Sequence, residues 1–78
     1  MDDELCADWI YHEANLRGAN LKGANLSSAL LNEADLEGAN LRDANLTNTN
    51  FSEAILSEAD LEGALLVGTI FEDAEMPG

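Results

Sequence analysis

The sequence repeats a five-residue unit, Ala-Asn-Leu-Arg-Gly at residues 14–18, in one uninterrupted register through residue 78. The first position is Ala in eleven of the thirteen units and Thr in two, and the third is Leu in ten, Phe in two and Met in one. A period of five excludes a continuous helix, because successive leucines would rotate by about 140° and form no common face. It also excludes a straight strand, where positions five apart point to opposite sides.

A strict period of five therefore requires the chain to turn a corner once in every unit. If the segment between corners is extended, the first and third positions point inward together and the second points out. All six glycines fall on the fifth position, as a type II turn requires, because its third residue has positive φ. Positive φ is strained for a side chain, so we expect other turn types at the corners with an acidic fifth residue. These residues are Glu33, Asp43, Glu53, Glu58 and Asp73.

A second period indicates how many corners close one coil. Residues 49–54 and 69–74 share an unusual Thr-x-Phe-x-acid-Ala pattern and lie twenty residues apart. If four units form one coil, Phe51 stacks directly beneath Phe71 and Thr49 beneath Thr69. Larger side chains in one column would then fill the interior together. The spacing predicts a four-sided coil of twenty residues.

The A-(D/N)-L-x-x units resemble those of the pentapeptide repeat family. Seven of them fit without exception: Ala14-Asn15-Leu16, Ala19-Asn20-Leu21, Ala24-Asn25-Leu26, Ala34-Asp35-Leu36, Ala39-Asn40-Leu41, Ala44-Asn45-Leu46 and Ala59-Asp60-Leu61. The resemblance implies an all-β fold, a right-handed quadrilateral β-helix of about three coils with the central Leu or Phe and the preceding Ala inside. It says much less about function.

The chain divides into a cap segment, residues 1–13, and the repeat β-helix, residues 14–78. Leu5, Cys6, Trp9 and Ile10 follow the i, i+1, i+4, i+5 pattern of one helical stripe. We expect a short helix that covers the first coil, because a terminal repeat needs protection from water. An extended extra strand is the alternative.

The composition and the amino terminus indicate where the protein is located and which ligands it is unsuited to bind. Sixteen acidic residues against three basic ones argue against direct binding of nucleic acid or anionic membranes, since like charges repel. Cys6 is the only cysteine, so the chain forms no intramolecular disulfide. The acidic amino terminus is unlike a secretory signal. We expect a cytoplasmic protein without cofactor or metal, although a mature chain cut from a longer precursor would look the same.

Folding the sequence into columns twenty residues apart predicts its surfaces. Glu33, Glu53 and Asp73 form one acidic column, which is either a weak cation site or a solvated face. The face that begins at Asn25 carries no charge.

Apolar residues occupy outward positions late in the chain. The candidate partner or dimer surface comprises Ile55, Leu65, Val67, Ile70 and Met76. An uncovered last coil exposes core and strand edges, which invite association, so we expect a homodimer through the carboxy-terminal coil. The alternative is that Met76 and Pro77 close this end.

The sequence offers little to support catalysis. His12 is the only histidine and lies in the cap segment with Cys6, and nothing positions the two as nucleophile and base. The glycines are explained by turns, not by a phosphate-binding loop. We therefore expect a small non-enzymatic module for protein–protein interaction or scaffolding, with an unidentified protein partner.

The alternative function follows from the family resemblance. The family includes acidic rods that bind type II topoisomerases, such as DNA gyrase, in place of duplex DNA. Residues 14–78 carry eleven acids and three bases. At about 4.8 Å per coil, however, the stack is only about 16 Å tall, which is short for a mimic of DNA.

Overall fold

Each outward second position from Asn15 to Ile55 pairs with the second position twenty residues further along the chain. The computed structural model describes residues 13–77, which contain no helix and no strand longer than a single bridge residue. All the bridges are parallel: Asn15↔Asp35, Asn20↔Asn40, Asn25↔Asn45, Leu30↔Asn50, Asp35↔Ile55, Asn40↔Asp60, Asn45↔Leu65, Asn50↔Ile70 and Ile55↔Glu75. The predicted coil of four units and twenty residues is confirmed. Of the predicted cap segment, residues 1–13, only Glu13 lies in the described part, so the expected helix falls outside it.

Backbone hydrogen bonds join each unit to both neighbouring coils. The N–H of Asp35 donates to the carbonyl of Ala14 in the coil before it, at 2.9 Å. The N–H of Leu36 donates in the other direction, to the carbonyl of Ile55 in the coil after it, at 2.7 Å. The fifth-position N–H of the same unit, that of Gly38, also bonds to the following coil. Each interior unit is therefore held from both sides.

Two further bonds complete the corner in units that have Asn or Asp at the second position. The N–H of Ala39 donates back across the turn to the carbonyl of Leu36, at 2.9 Å. The fourth-position N–H, that of Glu37, donates to Oδ1 of Asp35 at 3.2 Å. This Asx turn explains the preference for Asn or Asp at the second position. The short side chain accepts a hydrogen bond from the fourth-position N–H, which bonds neither to a neighbouring coil nor across the turn.

The fifth position has the same backbone conformation at every corner. Within residues 13–77, positive φ occurs only there, between 59° and 78°, as in a type II turn. The expectation of other turn types at the acidic corners is wrong. The five residues are Glu33 (φ 66°), Asp43 (62°), Glu53 (61°), Glu58 (62°) and Asp73 (59°). The physical reason is that the bonds to neighbouring coils fix the corner, so the side chain accepts a strain of about 1–3 kcal/mol.

The interior is a column of third-position Leu and Phe with first-position Ala between them, as predicted. Phe51 and Phe71 stack with ring centroids 5.5 Å apart and planes within 4°. Thr49 is fully buried, and its hydroxyl donates to the carbonyl of Leu26 at 2.7 Å. The hydroxyl of Thr69 makes the same bond to Leu46 one coil later, also at 2.7 Å. A threonine in this column is therefore tolerated because the main chain of the neighbouring coil satisfies it.

Candidate functional site

The last coil of the described chain, residues 58–77, exposes the interior of the stack; we call it the C-terminal end. Leu46 in the preceding coil has an exposed fraction of 0%, whereas Leu66, which occupies the equivalent position, is 43% exposed. Leu61 and Phe71 are only partly buried. The third-position column that is closed elsewhere is thus open to solvent here.

The backbone of the C-terminal end has an unpaired edge. In the coil before, the N–H groups of Leu41, Leu46 and Phe51 each donate to a second-position carbonyl of the following coil. The equivalent N–H groups of the last coil have no such acceptor within residues 13–77. An apolar surface bordered by free backbone donors is a template for adding a further strand.

Four of the five residues predicted as a contact surface belong to this end. Leu65, Val67, Ile70 and Met76 are exposed, and Leu65 and Ile70 lie on neighbouring faces on either side of the Gly68 corner. Together with Leu66, which is also exposed, we call these residues the apolar end.

Ile55 does not share this environment. It pairs with Asp35 on one side and Glu75 on the other and is half-buried. Leu66 is absent from the predicted contact surface, because a third-position leucine belongs to the core wherever a coil lies on each side of it. Its exposure depends on coverage by neighbours, not on its place in the unit.

Acidic residues surround the apolar end. Residues 58–77 contain six carboxylates and no basic residue: Glu58, Asp60, Glu62, Glu72, Asp73 and Glu75. We call this set the acidic rim. The three basic residues of the chain, Arg17, Lys22 and Arg42, all lie in earlier coils. The first twenty residues of the repeat, 14–33, contain two basic residues and one acidic residue, whereas the last coil contains acidic residues alone.

One part of the acidic rim is already neutralised from the coil below. Arg42 Nη1 lies 3.1 Å from Asp60 Oδ2 and 3.0 Å from Glu62 Oε1. Arg17 makes the same paired contact one coil earlier. The hydrogen bond with Asp60, followed by the charge of Glu62, raises the pKa of Arg42. The N–H of Glu62 and then the Arg42 guanidinium hold the pKa of Asp60 below its ordinary value.

The predicted acidic column lies along one corner of the stack. Glu33, Glu53 and Asp73 are exposed, and all occupy the strained fifth position. No set of three or more His, Cys, Asp or Glu side chains in residues 13–77 is arranged to hold a metal ion. The column is an acidic surface without the geometry of a metal site.

The uncharged face uses its polar side chains to hold its own corners. The Ser27 hydroxyl donates to Asn25 Oδ1 at 2.8 Å, and that of Thr47 donates to Asn45 Oδ1 at 2.7 Å. These groups reinforce the Asx turns of the second position.

The described residues also include no helix with the length and apolarity needed to cross a membrane.

Comparisons with known proteins give the family. A model of pentapeptide repeats matches residues 12–48 and 44–78 in eight copies. A pentapeptide repeat protein from the thylakoid lumen of Arabidopsis thaliana superposes with a TM-score of 0.78 at 27% identity, and the match covers 81% of this chain and 43% of that one. A second, from the cyanobacterium Cyanothece 51142, gives a TM-score of 0.59 at 31% identity, covering 80% and 52%.

The chain spans about half the length of these two solved proteins. Among proteins with curated descriptions, none matches it. The right-handed four-sided β-helix predicted from the sequence is confirmed by the solved structures and by the register of the bridges. With the family model matching nearly every residue of the repeat, the chain belongs to the pentapeptide repeat family.

Proposed function

We propose that the protein is a non-catalytic module for protein–protein interaction, and that the C-terminal end is its contact surface. The observation that carries the proposal is the exposure of three outward apolar side chains, Leu65 (54%), Val67 (69%) and Ile70 (44%). A partner that covers these side chains would remove them from water. Large exposed apolar patches on small proteins commonly mark such contacts.

The hydrogen bonds of the hydroxyl side chains also favour a binding role over a catalytic role. The hydroxyls of Ser27, Thr47 and Thr49 all donate to oxygen atoms that belong to the architecture of the coils. A nucleophile needs a basic partner that takes its proton. Their hydrogen bonds instead stabilise turns and the core.

A homodimer through the C-terminal end stays a prediction. The mass in solution tests it: sedimentation at high micromolar concentration would give about twice the chain mass of 8.3 kDa for a dimer. A monomeric mass under those conditions would contradict it. The cytoplasmic location, expected because the amino terminus does not resemble a secretory signal, also stays a prediction.

Imitation of duplex DNA receives less support. The longest dimension of the molecule is 25 Å, which corresponds to about seven base pairs at about 3.4 Å each. Two faces carry most of the acid and one face carries none, whereas the phosphates of a duplex surround it. Inhibition of gyrase supercoiling at low micromolar protein would revive this alternative.

A matched pair of substitutions tests the contact surface. Leu30 and Ile70 lie in the same column of the same face and have exposed fractions of 43% and 44%, so glutamate at either position has a similar local cost. We expect immobilised Ile70→Glu to lose proteins that the wild type captures from an extract of the source organism, while Leu30→Glu retains them. Equal capture by the two variants would contradict the proposal.

A further inference from the structure

We propose that the uncharged face, residues 25–28, 45–48 and 65–68, is a side-by-side contact between two copies of this chain. The inference goes beyond the proposed function, because it concerns a lateral face of the stack and not its C-terminal end. The face is continuous across three coils, since parallel bridges join its second positions. Further coils at either end would lengthen this face without covering it.

The net charge of the chain decides which face a second copy can meet. At a net charge of −13, two copies repel each other, and like charges brought together across a contact oppose association. In residues 14–77 the other three faces all carry carboxylates: Asp35, Glu37, Glu58 and Glu75 on the first, Asp43, Asp60 and Glu62 on the second, and Glu33, Glu53, Glu72 and Asp73 on the fourth. The uncharged face is the one through which two copies touch without bringing carboxylates together.

One carboxylate lies at a corner that borders the uncharged face. Asp43 occupies the fifth position just before the face begins, and its Oδ1 fills the space that a Cβ on Gly63 would take in the following coil. Its side chain therefore extends along the corner toward the next coil. The centre of the face, at Thr47, stays free of charge.

The hydroxyl groups of the uncharged face already have hydrogen-bond partners within it. Asn25 Oδ1 accepts from the N–H of Ser27 at 3.1 Å and from its hydroxyl at 2.8 Å. Asn45 Oδ1 accepts the same two bonds from Thr47, at 3.1 Å and 2.7 Å. Burial of a polar group is costly when the group loses its hydrogen bonds, so a partner can cover these hydroxyls and amide oxygens at low cost.

The same face supplies apolar area for the contact. Leu65 and Val67, the two most exposed large apolar side chains of residues 13–77, continue the columns of its polar side chains. In an isologous contact each copy covers this pair on the other, which removes apolar surface from water. With overall dimensions of 25, 22 and 19 Å, however, a lateral face is smaller than the about 800 Å² per partner of a standard interface. We therefore expect a weak dimer, with a dissociation constant of about 0.1–1 mM.

Two substitutions on neighbouring faces separate this contact from any other. Thr47 and Ser52 both occupy a fourth position, are half-buried, and donate through the hydroxyl to a second-position Asn at 2.7 Å. Thr47→Glu and Ser52→Glu therefore add the same charge at a similar local cost. The first places it on the uncharged face and the second on the acidic face beside it.

Sedimentation equilibrium at up to about 1 mM protein measures the dissociation constant, after circular dichroism confirms that each protein is folded. We expect the wild-type value to fall about threefold between about 20 mM and about 300 mM salt, because salt screens the repulsion between copies. Thr47→Glu should raise it about tenfold above the value for Ser52→Glu, because like charges then meet across the contact. If Thr47→Glu does not fold, Ser27→Glu replaces it at the same position one coil earlier.

A mixture of two variants provides a positive test. Thr47→Glu and Thr47→Lys in equal amounts should associate at least as tightly as the wild type, because the two faces then carry opposite charges. A mixture no tighter than Thr47→Glu alone would overturn the inference.

Two further results would also overturn it. A wild type that stays monomeric at about 1 mM in about 300 mM salt would show that the face does not bind a second copy. Equal dissociation constants for Thr47→Glu and Ser52→Glu would place the contact on another surface, such as the C-terminal end. None of these results decides the capture experiment with Ile70→Glu and Leu30→Glu, so the proposed function stands or fails separately.

Discussion

Leu46 and Leu66 occupy the same position of the same repeat, one coil apart, yet one is sealed and the other is open to water. Phe51 and Phe71 show the same contrast, since the first is fully buried and the second only partly, although their rings stack on each other. The units are nearly identical, so the difference lies in what covers them. In this fold the burial of a residue depends on the coils that lie on either side of it, and not on the unit that contains it.

Truncation of the two leucines gives the sharpest test of this contrast. Leu46→Ala should lower the free energy of unfolding by about 2–5 kcal/mol, because it leaves a cavity between covered coils. Leu66→Ala should cost about 1 kcal/mol, since the side chain is already partly in water. Urea unfolding measures both. Equal losses would mean that the last coil is covered in solution, as it would be in a stable dimer.

The buried threonines provide the next test. Thr49→Val should cost about 1 kcal/mol, the value of one hydrogen bond, because the Leu26 carbonyl loses the hydroxyl and keeps its turn bond from Ala29. Thr69→Val should cost less, because Thr69 is only partly buried and water replaces its hydroxyl more readily. The same unfolding measurement applies, and a larger loss at Thr69 would contradict the ranking.

The strained corners should respond in the opposite direction. Glu53→Gly relieves a positive φ of 61° and should raise the free energy of unfolding by about 0.5 kcal/mol, after the extra entropy of glycine in the unfolded chain is subtracted. Gly38→Ala imposes the same strain at φ 72°, with open space around the new methyl group, and should lower it by about 1 kcal/mol. Destabilisation by Glu53→Gly would show that its side chain, not its backbone, matters to the fold.

The smallest expected effect is on the stability of the fold at low pH. The pKa of Asp60 is lowered by the N–H of Glu62 and by Arg42, so its contribution to stability is complete above the ordinary value of 3.8 and is lost as pH falls below it. Asp60→Asn keeps the Asx turn and removes the titration. We expect its stability to decline less steeply than that of the wild type below about pH 4, as followed by circular dichroism. Parallel curves would contradict the assignment.

The core and the number of sides follow from the sequence alone. Five-residue spacing forces a corner in each unit, and the recurrence of the Phe51 pattern at Phe71 indicates the twenty-residue coil. Positive φ at Glu53 does not follow in the same way, because the local steric cost is outweighed by interstrand bonds that no single unit reveals. The exposure of Leu66 escapes prediction for a related reason, since it depends on the coil that would lie above it.

The Asx turn at Asp35 follows from the sequence only in part. The preference for Asn or Asp at the second position is visible in the sequence, but an outward position gives no hint that its side chain binds the backbone two residues on. Only the full set of hydrogen bonds shows that the fourth-position N–H has no other acceptor.

The two-sided bonding of each unit also governs how the molecule opens. An interior unit such as residues 34–38 can leave the stack only by breaking bonds to the coil before and the coil after, whereas the last coil is held from one side alone. Amide protons should therefore exchange in a gradient, fastest at the third positions of residues 58–77 and slowest in the middle coils. Local fluctuation would begin at the C-terminal end, so the part of the protein that we propose as its contact surface is also the part whose backbone rearranges most easily.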